Sequence, residues 1–334
     1  MSNIYAEELK VGLDAVRKAA RICRVVQAAI TPEVLDKKDN SPVTVADFAS
    51  QAVVCHAIGE AFPDDPIIAE EDALALHQPE NEHFLQEIHK LICNHYREEA
   101  SHDEIRNWID RGGAKHNSPR FWTLDPIDGT KGFLRRDQYA ISLALIVDGQ
   151  IRIGILACPN LGTRNQSGDS LFYAVLGQGT FALRLDAESE PRRIHVTELN
   201  DPTLARFCES FESSHSSHNE SAMIAEKLGI QAAPVRMDSQ AKYAMVAAGE
   251  ADVYLRLPAK TGYFEKIWDH AGGVLIVTEA GGTVTDLQGK PLDFSHGHEL
   301  RENRGIIVTN GPLHNAILGM AKSVTSESGP ATLK

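Results

Sequence analysis

Apolar side chains recur every three or four residues near the start of the chain, which predicts a long amphipathic helix over Tyr5–Ile30. A polar loop containing Pro42 follows, and the next apolar stretch predicts a second helix over about Ala46–Phe62. The short apolar run Ile67–Ala69 is typical of a buried strand, and acidic residues come directly after it. The chain therefore opens with two packing helices and a strand whose end is acidic.

The segment Ala73–Ser118 is rich in charges and histidines, and we predict one helix and a solvent-exposed connection there. Beyond it the apolar period changes to two, as expected for strands. "RFWTLDPIDG" predicts a strand that ends in an acidic loop, and two hairpins follow with turns at Asp148–Gly149 and Gly177–Gly179. This part of the chain is predicted to form an antiparallel meander.

From about Glu190 onwards, strand patterns alternate with helix patterns, beginning with the strand "RRIHVT". Helices are predicted over Asn219–Leu228, over Gln240–Ala248, from Trp268 onwards and over Pro312–Lys322. The glycines of "EAGG", Glu279–Gly282, mark the end of the third of these helices. We therefore predict two domains, an α+β domain over residues 1–190 and an α/β domain over residues 191–334.

Composition narrows the class of protein. The 334 residues are 43% hydrophobic and 24% charged, which is typical of a globular protein. The formal net charge of −13 argues against nucleic-acid polymers and anionic membranes as partners, since both favour clustered Lys and Arg. The chain has neither a long apolar run nor an apolar signal core, so we expect a cytosolic or nuclear protein. Its five scattered cysteines are expected to be reduced thiols.

Candidate chemistry concentrates in "TLDPIDGTKGF". Pro126 fixes a bend between Asp125 and Asp128, so both carboxylates can converge on one point. Two carboxylates about 4 Å apart repel by ~4 kcal/mol at an effective dielectric near 20, so a cation must share the site. Oxygen ligands without His or Cys favour Mg²⁺. A solvated acidic turn is the alternative.

The residues after this pair favour an anion site. Gly129 lets the backbone approach a ligand, and Thr130 with Lys131 would open a helix whose N–H groups favour phosphate. A magnesium ion that bridges the acids and a phosphate would explain why both features occur together.

Further acids lie elsewhere in the sequence: Glu70 and Glu71 follow a strand, Asp269 precedes a helix, and Asp47 lies in "SPVTVADFASQ". Taken singly, each could be a solvated strand end or an acid that complements a helix dipole. Together with the phosphate loop they suggest one shared metal centre.

The segments "SPVTVAD", "IIAEED", "DPIDGTKGF" and "WDHAGGVLIVTEAGG" resemble the metal-dependent, lithium-sensitive phosphatase superfamily of inositol monophosphatase and fructose 1,6-bisphosphatase. The segments "HSSH", "DSQAKY" and "ADVYLRLP" are similar to one branch, the 3′(2′),5′-bisphosphate nucleotidases of the fungal salt-tolerance type. Members of this branch remove the 3′-phosphate of 3′-phosphoadenosine 5′-phosphate.

This resemblance implies a role for each matching position. The implied ligands of two or three Mg²⁺ ions are Glu70, Asp125, the backbone carbonyl of Ile127, Asp128 and Asp269. Asp47 and Thr130 match the pair that orients and deprotonates the attacking water. The implied substrate-binding residues are Gly129, Thr130, His215, Ser239, Lys242, Arg256 and Asp269.

The resemblance also implies a layered two-domain sugar-phosphatase fold of alternating helices and sheets, in-line attack by a metal-activated water, and inhibition by Li⁺ and Na⁺. A monomer acting on a small molecule is expected. His215 could instead be a surface group, Lys242 could cover a helix flank, and Arg256 could pair with Glu250 or Asp252. An inositol phosphate phosphatase and a non-catalytic nucleotide sensor are the alternative functions.

Overall fold

The computed structural model describes residues 4–30, 41–97, 99–115, 118–164, 168–186, 189–211, 218–258 and 262–327. Its helices in these ranges are α1 (Ala6–Ala29), α2 (Ser41–Ala61), α3 (Glu82–His95), α4 (His102–Asp110), α5 (Thr130–Leu134), α6 (His218–Lys227), α7 (Ala241–Ala247), α8 (Ala271–Glu279) and α9 (His314–Glu327). No helix in these ranges is long and apolar enough to cross a membrane.

The first sheet has seven strands, each paired with the next one along the chain. They are β1 (Ile67–Ala69), β2 (Arg120–Asp128), β3 (Ala140–Val147), β4 (Gln150–Cys158), β5 (Ser170–Val175), β6 (Gly179–Arg184) and β7 (Arg192–Ile194). β1 runs parallel to β2, and every later pair is antiparallel. Both predicted hairpins are present, and Asp148 and Gly149 adopt the positive φ angles of a tight two-residue turn.

The second sheet has the strand order β11-β12-β10-β8-β9. Its strands are β8 (Phe207–Glu209), β9 (Val235–Arg236), β10 (Val253–Arg256), β11 (Thr283–Thr285) and β12 (Ile306–Thr309). Parallel pairs join β10 to β8 and β8 to β9, whereas β12 is antiparallel to both of its neighbours. The sheet is therefore mixed.

Three apolar cores alternate with the two sheets. One core lies between the first four helices and the first sheet, which contributes Leu124 and Leu143. The opposite face of that sheet, with Ala144, packs against α7 and α8 in the second core. The far face of the second sheet, with Leu255, packs against α6 and α9 in the third core, which includes Ile317. The layers are thus helix, sheet, helix, sheet, helix.

The prediction for Ala73–Ser118 was correct in expecting a helix but wrong in expecting a solvent-exposed connection beside it. Two short 3₁₀ turns lead into α3 and α4, and apolar residues of both helices are fully buried in the first core, among them Ile88, Ile92 and Ile105. Ser101 and Glu104 form a capping box at the start of α4. The described charged and histidine side chains of this segment are exposed or half-buried, and their number obscured its apolar stripe.

Several boundaries differ from the prediction, and two of them affect the interpretation. The strand within "RRIHVT", predicted to begin the alternating part, is instead the edge strand β7 of the first sheet, two residues beyond the predicted domain boundary. The second helix includes Ser41, so Asp47 lies in its second turn. All five cysteines are free thiols, as predicted.

Candidate active site

A break in the ladder between β2 and β3 brings two aspartates together. The register shifts between Asp125, opposite Ser142, and Asp128, opposite Ala140. Asp125 is buried. The carboxylate oxygens of Asp125 and Asp128 lie within 4.8 Å of each other and of one from Asp269, which precedes α8. The fold therefore brings Asp269 close to Asp125 and Asp128, the two acids that the sequence predicted to converge.

Glu70 is the fourth carboxylate at this site, and we call Glu70, Asp125, Asp128 and Asp269 the acidic corner. The Glu70 backbone N–H donates to the carbonyl of Leu124 at 3.2 Å, which places Glu70 directly after β1 and next to the parallel strand β2. Burial in the cleft and the Asp269 charge raise the pKa of Glu70 to about 8. Burial raises the pKa of Asp125 well above its usual range, and the neighbouring carboxylates add to this shift.

Two cations near the acidic corner, Lys242 and Arg256, offset only part of the repulsion between its carboxylates. Burial and Asp269 raise the pKa of Asp128 to about 6, although Lys242 and Arg256 oppose the shift. Asp125 Oδ1 is buried and has no hydrogen-bond partner among the described residues. Crowded carboxylates with a free oxygen are the donor set that a hard divalent cation prefers, so these residues fit Mg²⁺.

Asp47 is buried near Glu70 and Glu71, and it is not part of the cavity wall described below. Ser50, one turn further along α2, donates from Oγ to the carbonyl of Pro126 at 2.9 Å, which fixes the helix against the acidic loop. Burial raises the pKa of Asp47 well above its usual range, with Glu71 and Glu70 adding to the shift. Its Oδ1 is buried without a hydrogen-bond partner in the described ranges.

Gly129 joins the acidic loop to α5 through a left-handed conformation with φ of 90°. A Cβ there would lie 2.9 Å from the Cβ of Ser239, so the glycine allows the two walls of the cleft to touch. Thr130 begins α5, and its exposed side chain lines the cleft. Gly129 is therefore needed both for its backbone conformation and for its small size.

The facing wall comes from the start of α7 and the end of β10. The Gln240 backbone N–H donates to Asp128 Oδ2 at 2.6 Å, and the Gln240 side chain donates to the carbonyl of Trp268 at 2.9 Å. Lys242 is buried, and its Nζ donates to the carbonyl of Met237 and lies 5.2 Å from the Tyr254 ring centre. Burial lowers the pKa of Lys242 to about 8 against the opposing effect of Asp128.

Arg256 contacts acids of the cleft and not the partners weighed from the sequence. Its Nη2 lies 2.7 Å from Glu265 and 3.7 Å from Asp269. The two candidate partners instead bind other arginines, since Glu250 pairs with Arg164 and Asp252 with Arg206. The helix-flank role considered for Lys242 is also wrong, because this side chain is buried at the cleft.

Sequence reasoning did not identify Glu265. Burial alone would raise its pKa, but hydrogen bonding from His270 and the Arg256 charge lower the pKa of Glu265 to about 2. One signal was its position four residues before Asp269 in "EKIWD". Tyr254 was missed too, although it lies two residues before Arg256 and so on the same face of β10.

These residues enclose a cavity of about 330 Å³. Its wall includes the sequence-predicted residues Glu70, Asp125, Ile127, Asp128, Gly129, Thr130, Ser239, Lys242, Arg256 and Asp269. It also includes Lys131, which the sequence placed with Thr130 at the start of the phosphate-binding helix, and residues given no role from the sequence, namely Asp238, Gln240, Tyr254, Tyr263 and Glu265. His215 lies outside the described residues, so its predicted role stays a prediction. The cavity wall therefore combines several carboxylates with the cationic side chains of Lys242 and Arg256.

Comparison with known proteins gives one family. The model of the inositol monophosphatase family matches residues 5–326. A rice (Oryza sativa) protein called 3′(2′),5′-bisphosphate nucleotidase is 44% identical over 98% of this chain and 97% of its own. A Schizosaccharomyces pombe protein of the same name is 41% identical over 97% of both chains.

Solved structures agree on the fold. An IMPase of Thermotoga maritima superposes with a TM-score of 0.65 over 97% of this chain and 100% of its own, at 21% sequence identity. Inositol monophosphatase II of Staphylococcus aureus gives a TM-score of 0.64 over 98% of this chain and 99% of its own, at 18% identity. The layered fold predicted from the resemblance is therefore confirmed.

Proposed function

The chain belongs to the inositol monophosphatase family, and from this premise we propose that it is a magnesium-dependent phosphatase that removes the 3′-phosphate of 3′-phosphoadenosine 5′-phosphate. The observation that carries the proposal is the charge pattern of the cavity. The carboxylates of Asp125, Asp128 and Asp269 converge on one point, and the cations of Lys242 and Arg256 line the same cavity. A molecule with two phosphates on one nucleoside matches this pattern, since one phosphate can be hydrolysed while the other is held.

The names of similar proteins support the same substrate. The rice and S. pombe relatives are both called 3′(2′),5′-bisphosphate nucleotidases, and each aligns over nearly the whole length of both chains. The solved structures are too distant in sequence to bear on the choice of substrate.

The residues proposed to hold two or three Mg²⁺ ions are Glu70, Asp125, the backbone carbonyl of Ile127, Asp128 and Asp269. Bound Mg²⁺ would supply a water of lowered pKa and a counter-charge for the transferring phosphate. The buried, unpartnered Oδ1 of Asp125 and the raised pKa values of Glu70 and Asp128 support this assignment, because a bound cation would offset the burial and mutual repulsion of these carboxylates.

Asp47 and Thr130 are proposed to orient the attacking water and accept its proton. A carboxylate with a raised pKa and a free oxygen is suited to hold that proton. The oxygen of this water would bond to phosphorus as the bond to the 3′-oxygen breaks, which releases AMP and inorganic phosphate. No covalent phosphoenzyme is required.

The second phosphate is proposed to bind Ser239, Lys242 and Arg256, with His215 contributing from outside the described residues. Lys and Arg provide charge-assisted hydrogen bonds to phosphate oxygens. Gly129 and Thr130 would lie against the phosphate that is removed. We extend the proposal to a monomeric enzyme with no nucleic-acid polymer or membrane partner, which the net charge of −13 supports.

The test is a phosphate-release panel on the purified full chain. We expect rapid Mg²⁺-dependent release from 3′-phosphoadenosine 5′-phosphate, none from AMP, little from inositol 1-phosphate, and inhibition by Li⁺. A further assay with 3′-phosphoadenosine 5′-phosphosulfate tests whether the enzyme accepts a 5′-phosphosulfate in place of the 5′-phosphate. A preference for inositol 1-phosphate would overturn the nucleotide assignment, and nucleotide binding without phosphate release in Mg²⁺ would indicate a sensor.

A further inference from the structure

Glu265 is a residue of the cavity wall that the proposed reaction leaves without a role. Its Oε2 lies 2.7 Å from Arg256 Nη2. The same nitrogen lies 3.7 Å from Asp269 Oδ2, so two carboxylates compete for one guanidinium group. Glu265 is the closer by 1.0 Å, the difference between 3.7 and 2.7 Å.

A buried chain of contacts holds Glu265 in place. His270 Nε2 lies 3.3 Å from Glu265 Oε2, and His270 Nδ1 lies 2.8 Å from the Tyr243 hydroxyl. His270 and Tyr243 are both fully buried. Tyr243 lies directly against α8, because a Cβ at Gly273 would come within 2.4 Å of its ring. The carboxylate of Glu265 is therefore fixed from behind and has little freedom to leave Arg256.

The arrangement matters because Arg256 and a metal ion need the same carboxylate. Arginine and a carboxylate readily form a two-pronged ion pair, which occupies both carboxylate oxygens. Without the Glu265 charge, Asp269 would be the anion nearest to Arg256 Nη2 in the described structure. Such a pair would remove Asp269 from the acidic corner that it forms with Asp125 and Asp128.

We propose that Glu265 is a positioning residue that holds the Arg256 guanidinium away from Asp269, so that Asp269 stays available to a metal ion. The inference rests on the proposed function in taking Asp269 as a metal ligand and Arg256 as a phosphate-binding residue. It adds that the Glu265 side chain keeps the Arg256 cation from neutralising Asp269. Arg256 Nε is buried without a hydrogen-bond partner among the described residues, so the guanidinium keeps a donor for a ligand.

The experiment measures Mn²⁺ binding by electron paramagnetic resonance, with no nucleotide present, because Mn²⁺ shares the oxygen preference of Mg²⁺. Four variants of the full chain are compared with the wild type: E265Q, R256A, the double variant E265Q/R256A, and E299Q. Gln keeps the size of Glu265 and can still accept a hydrogen bond from His270. Glu299 is a matched control, because it is also ion-paired, with Lys266 and Arg301, but does not line the cavity.

We expect E265Q to weaken Mn²⁺ binding about 10- to 100-fold, and E299Q to bind as the wild type does. The double variant should recover the affinity of R256A, because no guanidinium remains to occupy Asp269. Recovery distinguishes positioning from general damage, since a second substitution does not repair a misfolded site. Wild-type affinity in E265Q, no recovery in the double variant, or no Mn²⁺ binding by the wild type would each overturn the inference.

The two proposals fail separately. A wild type that binds Mn²⁺ but releases no phosphate from 3′-phosphoadenosine 5′-phosphate overturns the proposed function and leaves the metal measurement intact. A wild type that is active, with E265Q unchanged in Mn²⁺ affinity, overturns the positioning role alone. If Glu265 has the positioning role, R256A and the double variant should also have the same raised KM for the nucleotide. E265Q at saturating metal should keep most of its kcat.

Discussion

The backbone N–H of Gln240 donates to Asp128 Oδ2 at 2.6 Å, so the last residue of β2 is tied to the residue that caps α7. One carboxylate thus serves two purposes. One oxygen fixes the first sheet to the facing wall of the cavity, and the carboxylate also faces Asp125 and Asp269. This contact and the close approach of Gly129 to Ser239 hold the two walls of the cavity together.

Replacing Asp128 with Asn should abolish turnover without unfolding the protein. The loss of a charged ligand removes stabilisation of several kcal/mol from the transition state, so phosphate release from 3′-phosphoadenosine 5′-phosphate should fall about 100-fold or more. Asp148→Asn is the matched control, because Asp148 is exposed in a turn whose positive φ Asn tolerates. Near-normal activity in Asp128→Asn, with an unchanged thermal midpoint, would rule out the metal assignment.

The pH dependence of stability should reveal Glu70 in the metal-free protein. Its pKa is raised from about 4.3 in an unfolded chain to about 8 in the folded protein. Between these values the folded state binds more protons, so its stability falls as pH rises. In EDTA, Glu70→Gln should therefore match the wild type near pH 4 and become the more stable protein by pH 8.

Saturating Mg²⁺ should reverse that order, because the ionised carboxylate then has a cation to bind. Thermal midpoints measured across this pH range, with and without Mg²⁺, make the comparison. Glu87→Gln, at an exposed position of α3, controls for the general loss of a carboxylate. Parallel profiles for the wild type and Glu70→Gln would show that Glu70 does not carry the shift.

Substituting Gly129 with Ala should destabilise the protein and impair activity. The left-handed backbone costs a non-glycine residue about 1–2 kcal/mol, and the added Cβ would also lie 2.9 Å from that of Ser239. Gly177→Ala separates the two effects, because Gly177 has a φ of 78° with no atom within 4 Å of an added Cβ. Urea denaturation should give a larger loss for Gly129→Ala, and equal losses would mean that the close approach is unimportant.

Replacing Lys242 with Met should affect substrates according to their 5′-phosphate. A charge-assisted hydrogen bond is worth about 1.5–3 kcal/mol, so kcat/KM for 3′-phosphoadenosine 5′-phosphate should fall about 10- to 100-fold. Turnover of 3′-AMP, which lacks the second phosphate, should change far less. Lys290→Met, at an exposed position, provides the control, and an equal loss on both substrates would place Lys242 elsewhere in the mechanism.

The helices of the segment Ala73–Ser118 should contribute strongly to stability. Ile88 is fully buried in the first core, so Ile88→Ala should lower the free energy of unfolding by about 2–5 kcal/mol. The neighbouring exposed residue supplies the control, and Glu87→Ala should change it little. Similar urea midpoints for both variants would restore the view of this segment as a solvated connection.

Much of the architecture follows from local patterns. The apolar stripe of α1, the tight turn at Asp148–Gly149 and the alternation along β3 each depend on residues close together in the chain. The acidic loop belongs to this class too, because Pro126 and Gly129 shape it locally. For these features, the spacing of residues along the chain largely determines how they are arranged in space.

Features missed from the sequence depend on contacts between distant segments. The stripe of α3 was visible at Leu85, Ile88 and Ile92, but the surrounding charges gave no indication of which face would be covered. The position of β7 at the edge of the first sheet depended on pairing with β6 across a loop. The partner of Arg256 was likewise open, since Glu250, Asp252 and Glu265 are all acids of nearby sequence.

The sequence by itself determined most of the helices and strands outside Ala73–Ser118, the acidic loop and the family to which the chain belongs. Only the tertiary structure decided which carboxylate meets which cation, and that Arg256 lies closer to Glu265 than to Asp269. The physical reason is that an ion pair is set by distances of a few ångströms between side chains. Those distances are fixed by the packing of whole helices and sheets and not by the spacing of residues along the chain.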